Sequence, residues 1–293
     1  MISVCFQGGL ANRMFQYAFY RSLVAKGYDA YVDNYNFKPR KRMTFEAVDI
    51  EDPFPNIDIQ YTPKGKFKFS CVCGRKGKIL RYINSLIKKE QYVFEPKFKY
   101  CPEIFADLGD NCEIVGLWQT EKYFKDISED LKKQFVFSPF VEKENLEVEE
   151  EMKKVNSVAI HVRKGNDYLS DHMWDSTCPQ TYYLNAINYI KEHVEDPHFY
   201  LFTDNIDWVE DNIKEIGYTV VDWNPIKGRY NYRDMQLMSC AKHNIISNSS
   251  YSWWGAWLNS NPDKVIIAPK TWFNPAIDYF KNNDIICDSW IAL

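Results

Sequence analysis

Three short segments of this chain carry side chains suited to binding an anion. The first, residues 159–168, contains His161 and Arg163, which lie two residues apart on one face of a predicted strand end. Arginine is a permanent cation whose fork of N–H donors matches the oxygens of a phosphate. We therefore predict that Arg163 contacts phosphate. The alternatives are a surface salt bridge for Arg163, a core position for His161, and for Asp167 either capping of the loop or orientation of Arg163.

The second segment, residues 202–205, places Asp204 at the end of another predicted strand. A carboxylate at this position can accept paired N–H bonds from a guanine edge, or hydrogen bonds from the hydroxyls of a ribose. The alternative is that Asp204 caps the helix predicted to follow it.

The third segment is a run of nineteen uncharged residues, 244–262, in which a strand leads through a polar turn into a tryptophan-rich helix. Such a junction offers backbone N–H groups and hydroxyls to an anion. We predict that the turn formed by Asn248, Ser249, Ser250 and Tyr251 holds phosphate. The alternative is that these residues cap the helix, and both roles are compatible. The serines and asparagines of the run make it too polar to cross a membrane.

A fourth candidate is the turn at residues 8–13, which presents Asn12 before a predicted helix. The turn lacks the G-x-G-x-x-G spacing of a dinucleotide-binding loop, so we expect no nicotinamide or flavin site there. Asn12 is instead predicted to contact, through its side-chain amide, a ligand lodged between the two halves of the chain.

A regular alternation of strands and helices positions these segments. In the first half, a strand at 2–6, a helix at 14–26 and a strand at 30–33 predict a parallel sheet. Residues from about 34 to 116 show no clear pattern, and we treat them as an irregular insert.

The second half alternates more clearly. The predicted strands are 157–162, 198–203, 218–222, 244–247 and 264–268, and the predicted helices are 182–194, 208–216, 233–241 and 253–259. This rhythm is typical of a doubly wound α/β fold, in which ligands bind beyond the carboxyl ends of the strands. His161, Arg163, Asp204 and Ser249 all fall at such ends.

The length of 293 residues fits two domains, which we place at 1–150 and 151–293. An acidic segment at 142–154 is predicted to form a helix that leads into the second half. We see no signal peptide or membrane anchor at the N-terminus. The eight cysteines lack the spacing of a disulfide framework or a zinc site, so reduced thiols in a cytoplasmic protein are expected.

Charge is unevenly distributed along the chain. The net charge of −4 argues against general nucleic-acid binding. Residues 64–89, however, contain nine Lys or Arg residues and no acid. This run is either a solvated face or a surface for an anionic membrane or a lipid-linked acceptor, which would place the protein peripherally at the inner membrane.

Several catalytic motifs are absent from the sequence. It contains no P-loop, no H-E-x-x-H and no G-x-S-x-G elbow, and no D-x-D follows a strand end. A nucleoside diphosphate would therefore be neutralised by Arg163 and by backbone donors rather than by Mg²⁺. We expect neither a metal nor another cofactor.

Taken together, the segments resemble the bacterial α-1,2-fucosyltransferases of glycosyltransferase family 11. The matching stretches are residues 8–19 (GGLANRMFQYAF), 161–168 (HVRKGNDY), 202–205 (FTDN), 233–243 (RDMQLMSCAKH) and 244–259. Two departures stand out. The family's N-terminal loop usually contains Gly-Asn-Gln where this chain has Ala11, Asn12 and Arg13. The arginine motif usually runs His-x-Arg-Arg-Gly-Asp-Tyr, whereas here Asn166 adds one residue before Asp167, which alters the reach of that carboxylate.

The resemblance implies a GT-B fold, with two facing Rossmann-like domains built on parallel sheets, and GDP-fucose bound mainly by the C-terminal domain. It implies an inverting, metal-independent transfer of L-fucose to O2 of a terminal β-galactose of an oligosaccharide or lipid-linked glycan. The implied roles are nucleotide and β-phosphate contact for His161 and Arg163, guanine contact for Asp204, phosphate binding for Ser249 and Ser250, and a position facing the reacting centre for Asn12.

The general base stays open at this point, because Asp167 and His161 both suit the role by charge type. An oxocarbenium-like transition state needs little help from a base, which would leave Asn12 to orient the acceptor hydroxyl. Two rival functions also stay open: a fucosyltransferase of different linkage or acceptor, and a non-catalytic carbohydrate-binding protein. The strong βα alternation disfavours the second rival, since carbohydrate-binding modules are usually small β-sandwiches.

Overall fold

The structure is a computed structural model that describes residues 1–35, 49–70, 72, 74–96, 98–106, 108–214, 216–281 and 283–293, without the side chains of Asp167 and Phe280. It divides into two compact units. Unit 1 is Met1–Val136 with Asn282–Ile285, and unit 2 is Phe137–Lys281 with Ile286–Leu293. The division falls before the boundary predicted at 150, because the acidic helix after Glu142 packs Val148 and Met152 into the core of unit 2.

Within the described residues, unit 1 is built on one parallel sheet. Its strands are β1 (Ile2–Cys5), β2 (Ala30–Asp33), β3 (Gln91–Phe94) and β4 (Cys112–Val115), and its helices are α1 (Leu10–Ala25), α2 (Gly74–Lys88) and α3 (Ser128–Gln134). Short 3₁₀ turns occur at Pro102–Phe105, Glu121–Tyr123 and Lys125–Ile127. The strand order is β2-β1-β4-β3, with every neighbouring pair parallel.

The predicted β–α–β opening of the chain is confirmed, but the helix begins earlier than expected. Residues 10–13, predicted as part of a turn, form the first turn of α1, since the N–H groups of Asn12 and Arg13 both donate to the carbonyl of Gly9. The insert predicted as irregular also contains α2, β3 and all of β4. Its residues 36–48 lie outside the described part of the chain.

Unit 2 is built on a second parallel sheet. Its described strands are β5 (Asn156–Val162), β6 (Pro197–Thr203), β7 (Tyr218–Val220), β8 (His243–Ile245), β9 (Ile266–Ala268) and β10 (Ile291–Ala292), in the order β10-β9-β8-β5-β6-β7. Its helices are α4 (Lys143–Lys154), α5 (Asn166–Leu169), α6 (Gln180–His193), α7 (Ile206–Asn212), α8 (Arg233–Cys240) and α9 (Ser250–Leu258), with 3₁₀ turns at His172–Trp174 and Asp278–Phe280. All five strands and four helices predicted for this half are present, with shifted ends, whereas β10 was not predicted.

The central strand β5 is buried on both faces, which is why its sequence is apolar almost throughout. Its residues Val158, Ile160 and Val162 pack with α6 on one side of the sheet. Ala159 belongs to the core on the other side, together with residues of α4 and α8.

The tryptophans of α9 lie in the core of unit 2. Trp253 and Trp254 are fully buried, and Trp257 is nearly so. A Cβ added at Gly255 would lie 2.8 Å from Met238 Cβ, so this glycine allows α8 and α9 to pack in direct contact. The core of unit 2 thus fixes the helix whose first residues belong to the serine turn.

Candidate functional site

The topology of unit 2 places three of the predicted segments at one edge of its sheet. Strand β5 pairs with β6 on one side and with β8 on the other, and all three run parallel. In this register Val162 lies opposite Thr203, and Ile160 lies opposite Ile245. The residues that follow these strands therefore emerge side by side, at the edge where ligands bind in doubly wound sheets.

Arg163 and Asp204, which follow β5 and β6, form an ion pair across this edge. Arg163 Nε lies 3.1 Å from Asp204 Oδ2, and the arginine side chain remains 36% exposed. The other carboxylate oxygen, Asp204 Oδ1, accepts a 2.7 Å hydrogen bond from the backbone N–H of Lys164. A half-exposed pair contributes only about 0–1 kcal/mol to stability, so its main effect is to orient the guanidinium.

Asn205 completes the attachment of this loop. Its Nδ2 donates to the carbonyl of Lys164 at 2.7 Å, and its Oδ1 caps α7 by accepting from the Trp208 N–H at 3.0 Å. The alternative in which Asp204 caps this helix is therefore wrong, because Asn205 does so. The backbone N–H and the carbonyl of Lys164 are therefore both hydrogen-bonded to residues that follow β6, and these bonds fix the backbone just after Arg163.

His161 is buried on β5 and bonded to the end of β8. Its Nδ1 lies 2.8 Å from Ser247 Oγ, with the histidine only 8% exposed. Burial, reinforced by the nearby charge of Arg163, lowers the pKa of His161 to about 3. The imidazole is therefore neutral at physiological pH, and it is a weak proton acceptor there.

The serine turn begins α9 and caps it. Ser249 is the N-cap residue, with its Oγ accepting a 3.3 Å hydrogen bond from the Tyr251 N–H, and Ser250 is the first helical residue. The hydroxyl of Tyr251 donates to the Asn231 carbonyl at 2.7 Å and accepts from the Met235 N–H at 2.9 Å. Tyr251 thus attaches the turn to the start of α8.

Asn248 connects the turn to the loop after Arg163. Its Nδ2 donates to the Trp272 carbonyl at 2.8 Å, and its Oδ1 accepts from the Tyr168 hydroxyl and from the Cys178 thiol. Because these partners occupy both ends of a buried amide, only the backbone of Asn248 suits a ligand contact. The Asp167 side chain, one residue before Tyr168, lies outside the described structure.

Asn12 belongs to unit 1, at the crevice between β1 and β4. Its Oδ1 accepts a 2.7 Å hydrogen bond from Gln119 Nε2, just beyond β4. A Cβ at Gly8 would lie 2.4 Å from Asn12 Nδ2, and Gly8 has φ of +81°, so glycine is required beside this amide. The strand order changes direction here, which is the usual ligand position in such a sheet.

Sequence reasoning missed several residues that hold the site. Ser247, Asn205 and Tyr168 lie within the quoted segments, but nothing in their spacing showed which partner each would find. Gln119 lies outside all of these segments, just beyond β4, and no sequence signal pointed to it. Asp234, at the start of α8, was also missed. Burial raises the pKa of Asp234 to about 6, although Asn224 Nδ2 donates to its Oδ1 at 2.9 Å.

No group of three or more His, Cys, Asp or Glu side chains in the described part of the chain is arranged to hold an ion. The metal independence of the reaction stays a prediction.

Comparison with known proteins gives the family of the chain. The profile described as Glycosyl transferase family 11 matches residues 109–293. An alpha-1,2-colitosyltransferase of Escherichia coli is 33% identical over 279 residues, covering 91% of this chain and 90% of that protein. The O-antigen biosynthesis glycosyltransferase WbnK of Escherichia coli is 30% identical over an alignment of 320 positions, gaps included, covering 99% of each protein.

More distant similarities agree. A galactoside alpha-(1,2)-fucosyltransferase 1 of Aotus azarae is 23% identical over 206 residues, covering 65% of this chain and 55% of that protein. Among solved structures, a variant of Arabidopsis thaliana FUT1 in complex with GDP has a TM-score of 0.51 at 12% identity, covering 91% of this chain and 70% of that chain. This likeness is one of fold, and it confirms the α/β, GT-B-like class. On the profile match and the two Escherichia coli relatives, the protein is a glycosyltransferase and belongs to glycosyl transferase family 11.

Proposed function

We propose that this glycosyltransferase transfers L-fucose from GDP-β-L-fucose to O2 of a terminal β-galactose, with inversion and without a metal ion. The observation that carries the proposal is the orientation of Arg163 by Asp204 at the carboxyl edge of the unit 2 sheet, beside the end of β8 that leads into α9. An oriented, partly exposed guanidinium near a helix N-terminus suits the diphosphate of a sugar nucleotide.

The main chemical demand of the reaction is stabilisation of the leaving group. As the bond from the anomeric carbon to oxygen breaks, negative charge grows on GDP, so donors that meet its β-phosphate lower the transition state more than the ground state. Arg163 supplies one such donor group. The N-terminus of α9 supplies a second donor group through Ser249 and Ser250. The Ser249 hydroxyl oxygen accepts a hydrogen bond from the Tyr251 N–H, so its O–H can donate to a phosphate oxygen.

His161 is proposed to act as a neutral hydrogen-bond donor to the nucleotide. We assign the Ser247 hydroxyl as the donor to Nδ1, which leaves the ring proton on Nε2, where it can be donated to the nucleotide. A pKa of about 3 makes His161 a poor base at neutral pH, so of the two candidates for the base Asp167 is retained.

Asp204 is proposed to contact guanine while it holds Arg163. Each of its oxygens already accepts one hydrogen bond within the protein. An ionised carboxylate offers about four lone-pair sites, so the N–H groups of a guanine edge find acceptors that are still available.

Asn12 is proposed to orient the acceptor hydroxyl. Its amide is held by Gln119, which fixes the direction in which Asn12 faces a ligand. We assign the acceptor side to the N-terminal part of the chain, 1–150, and the donor side to 151–293.

A second sugar-nucleotide substrate is favoured by one specific sequence similarity. The relative that is 33% identical is named as an α-1,2-colitosyltransferase, and colitose is L-fucose without its 3-hydroxyl. The alternative is therefore the same α-1,2 transfer with GDP-colitose as donor. A site that hydrogen-bonds the 3-hydroxyl would reject colitose by about 10⁴ or more, whereas an apolar lining would discriminate only about a hundredfold.

The direct test is release of GDP from GDP-fucose and from GDP-colitose, each with a panel of galactose-terminated acceptors. We expect GDP release only with a galactoside present, and an α-1,2 linkage when the product is examined by NMR. A different linkage would assign the chain to another transfer reaction. Binding of both ligands without GDP release would favour a non-catalytic carbohydrate-binding protein.

A further inference from the structure

Helix α2 turns its apolar residues outward. Ile79, Tyr82, Ile83, Leu86 and Ile87 follow the i, i+3, i+4, i+7, i+8 spacing of one helical face, and they are between 44% and 75% exposed. In a surface helix of a globular protein this stripe normally packs on the core. Here it faces away from the protein.

The inward face of α2 is polar, which explains the reversed orientation. A Cβ at Gly77 would overlap the Val72 carbonyl, and Asn84 is buried with its Nδ2 2.6 Å from Glu90 Oε2. Arg81 donates to the carbonyls of Val72 and Phe69 at 2.8 and 3.0 Å. The helix is attached to unit 1 by hydrogen bonds and a glycine contact, so its apolar stripe is left for another surface.

The surroundings of this stripe are strongly basic. Residues 64–89 contain nine Lys or Arg residues and no acid. Arg75 and Lys76 lie on the first turn of α2, Lys78 flanks the stripe, and Lys88 and Lys89 lie at its end; all five are exposed.

A groove continues this surface onto the edge strand β3. Its volume is about 450 Å³, and it is lined by Lys78, Arg81, Tyr82, Ser85, Tyr92 and Phe94. Phe94 is 47% exposed, and the guanidinium carbon of Arg81 lies 4.9 Å from the centre of its ring. The apolar stripe therefore borders a recess that contains two cations, a combination that suits a phosphate headgroup next to acyl chains.

We propose that α2 docks unit 1 onto the surface of a bilayer rich in anionic phospholipid. The stripe enters the boundary between headgroups and acyl chains while the lysines and arginines meet lipid phosphates. Helix α2 has 15 residues and spans about 22 Å, too short to cross a bilayer. No helix within the described ranges is both long enough and apolar enough to do so. A second copy of the chain fits less well, because it would bring two basic faces together.

Co-sedimentation with vesicles tests the proposal. We expect the full-length protein to bind vesicles of phosphatidylcholine mixed with phosphatidylglycerol at least about tenfold more tightly than vesicles of phosphatidylcholine alone, with weakening at high salt. The triple variant Ile83→Ser/Leu86→Ser/Ile87→Ser should lose about tenfold or more of this binding. The variant Lys76→Glu/Lys78→Glu should lose about tenfold or more on mixed vesicles only.

Matched controls come from exposed residues of unit 2. Val141→Ser/Leu146→Ser/Ile226→Ser removes equally exposed apolar groups, and Lys227→Glu reverses an exposed charge elsewhere. Both should bind vesicles like the wild type. Thermal unfolding checks that every variant is folded, and this check does not depend on the proposed function. The affinity for GDP, measured by titration calorimetry without vesicles, should be unchanged in the α2 variants, because α2 supplies no residue to the proposed donor site.

Three results would overturn the proposal. They are no binding of the wild type to mixed vesicles, binding that the stripe substitutions leave intact, and self-association in sedimentation velocity that those substitutions abolish without any vesicle binding. The last result would assign the stripe to a second copy of the chain.

Discussion

The Nδ1 atom of His161 lies 2.8 Å from Oγ of Ser247, and this hydrogen bond joins the ends of β5 and β8 across 86 residues of sequence. Together with the Arg163–Asp204 pair and the Tyr168–Asn248 hydrogen bond, it links the three segments into one network. A substitution in one segment is therefore expected to affect the others.

The first prediction concerns the burial of neutral His161. Its folded pKa of about 3 lies below the ordinary value of 6.5, so as pH falls below about 6.5 the unfolded chain binds the proton first. The stability gained from the neutral, buried ring is fully present above pH 6.5 and is lost as pH falls toward 3. Between pH 7 and pH 5 the loss is about 2 kcal/mol. Urea unfolding at both pH values should show a smaller difference for His161→Gln than for the wild type. An equal difference would contradict a neutral, buried His161.

Asp234 should show the opposite sign. Burial raises its folded pKa to about 6 from 3.8, so as pH rises the unfolded chain releases its proton first. The stability contributed by the protonated acid is present below pH 3.8 and is lost as pH rises through 6. Asp234→Asn, which stays neutral, should gain stability relative to the wild type between pH 4 and pH 7. A relative loss over this range, measured by the same urea method, would mean that the folded carboxyl is already ionised at pH 4.

Arg163 should be required for turnover but not for folding. Arg163→Ala should lower kcat by about 10²–10³, the usual effect of removing a donor that meets developing charge. Arg163→Lys should also fail, because an ammonium group cannot reproduce the guanidinium fork. Initial rates of GDP release measure both effects, and Arg75→Ala on α2 provides an exposed arginine as control. Near-normal activity of Arg163→Ala would remove this residue from the mechanism.

Asp204→Asn separates guanine contact from the positioning of Arg163. The asparagine side chain has one acceptor oxygen and one NH₂ group. In either orientation its NH₂ group faces Arg163 Nε or the Lys164 N–H, so one of the two hydrogen bonds is lost together with the carboxylate charge. We expect weaker binding of GDP and a reduced preference for GDP over IDP, which lacks the exocyclic amine of guanine. Titration calorimetry measures both affinities. Equal weakening of GDP and IDP would leave Asp204 with the positioning role alone.

Metal independence is tested by the rate of GDP release in EDTA and with added Mg²⁺ or Mn²⁺. We expect the rate to change little, because Arg163 and the N-terminus of α9 are proposed to neutralise the diphosphate. Loss of activity in EDTA that is restored by either ion would contradict this mechanism.

Much of the fold could be predicted because each helix and strand of unit 2 has a clear local pattern. Strands β5 and β6 are largely apolar, and the residues that follow them are polar, so the sequence pattern alone identifies Arg163 and Asp204 as strand-end residues. Unit 1 was less predictable. Strand β3 is short and half-exposed, and α2 presents its apolar face outward, so neither shows the burial pattern from which elements are usually inferred.

The sequence by itself determined the α/β class, the family resemblance and the strand ends that carry the candidate residues, because these depend on local periodicity and on residue type. Only the tertiary structure decided which side chains meet. In the tertiary structure Asn205, rather than Asp204, caps α7, and the side-chain amide of Asn248 bonds to buried protein groups. His161 is buried beside Ser247 and is therefore neutral. Hydrogen-bond partners and desolvation depend on neighbours tens of residues away, and no local pattern contains that information.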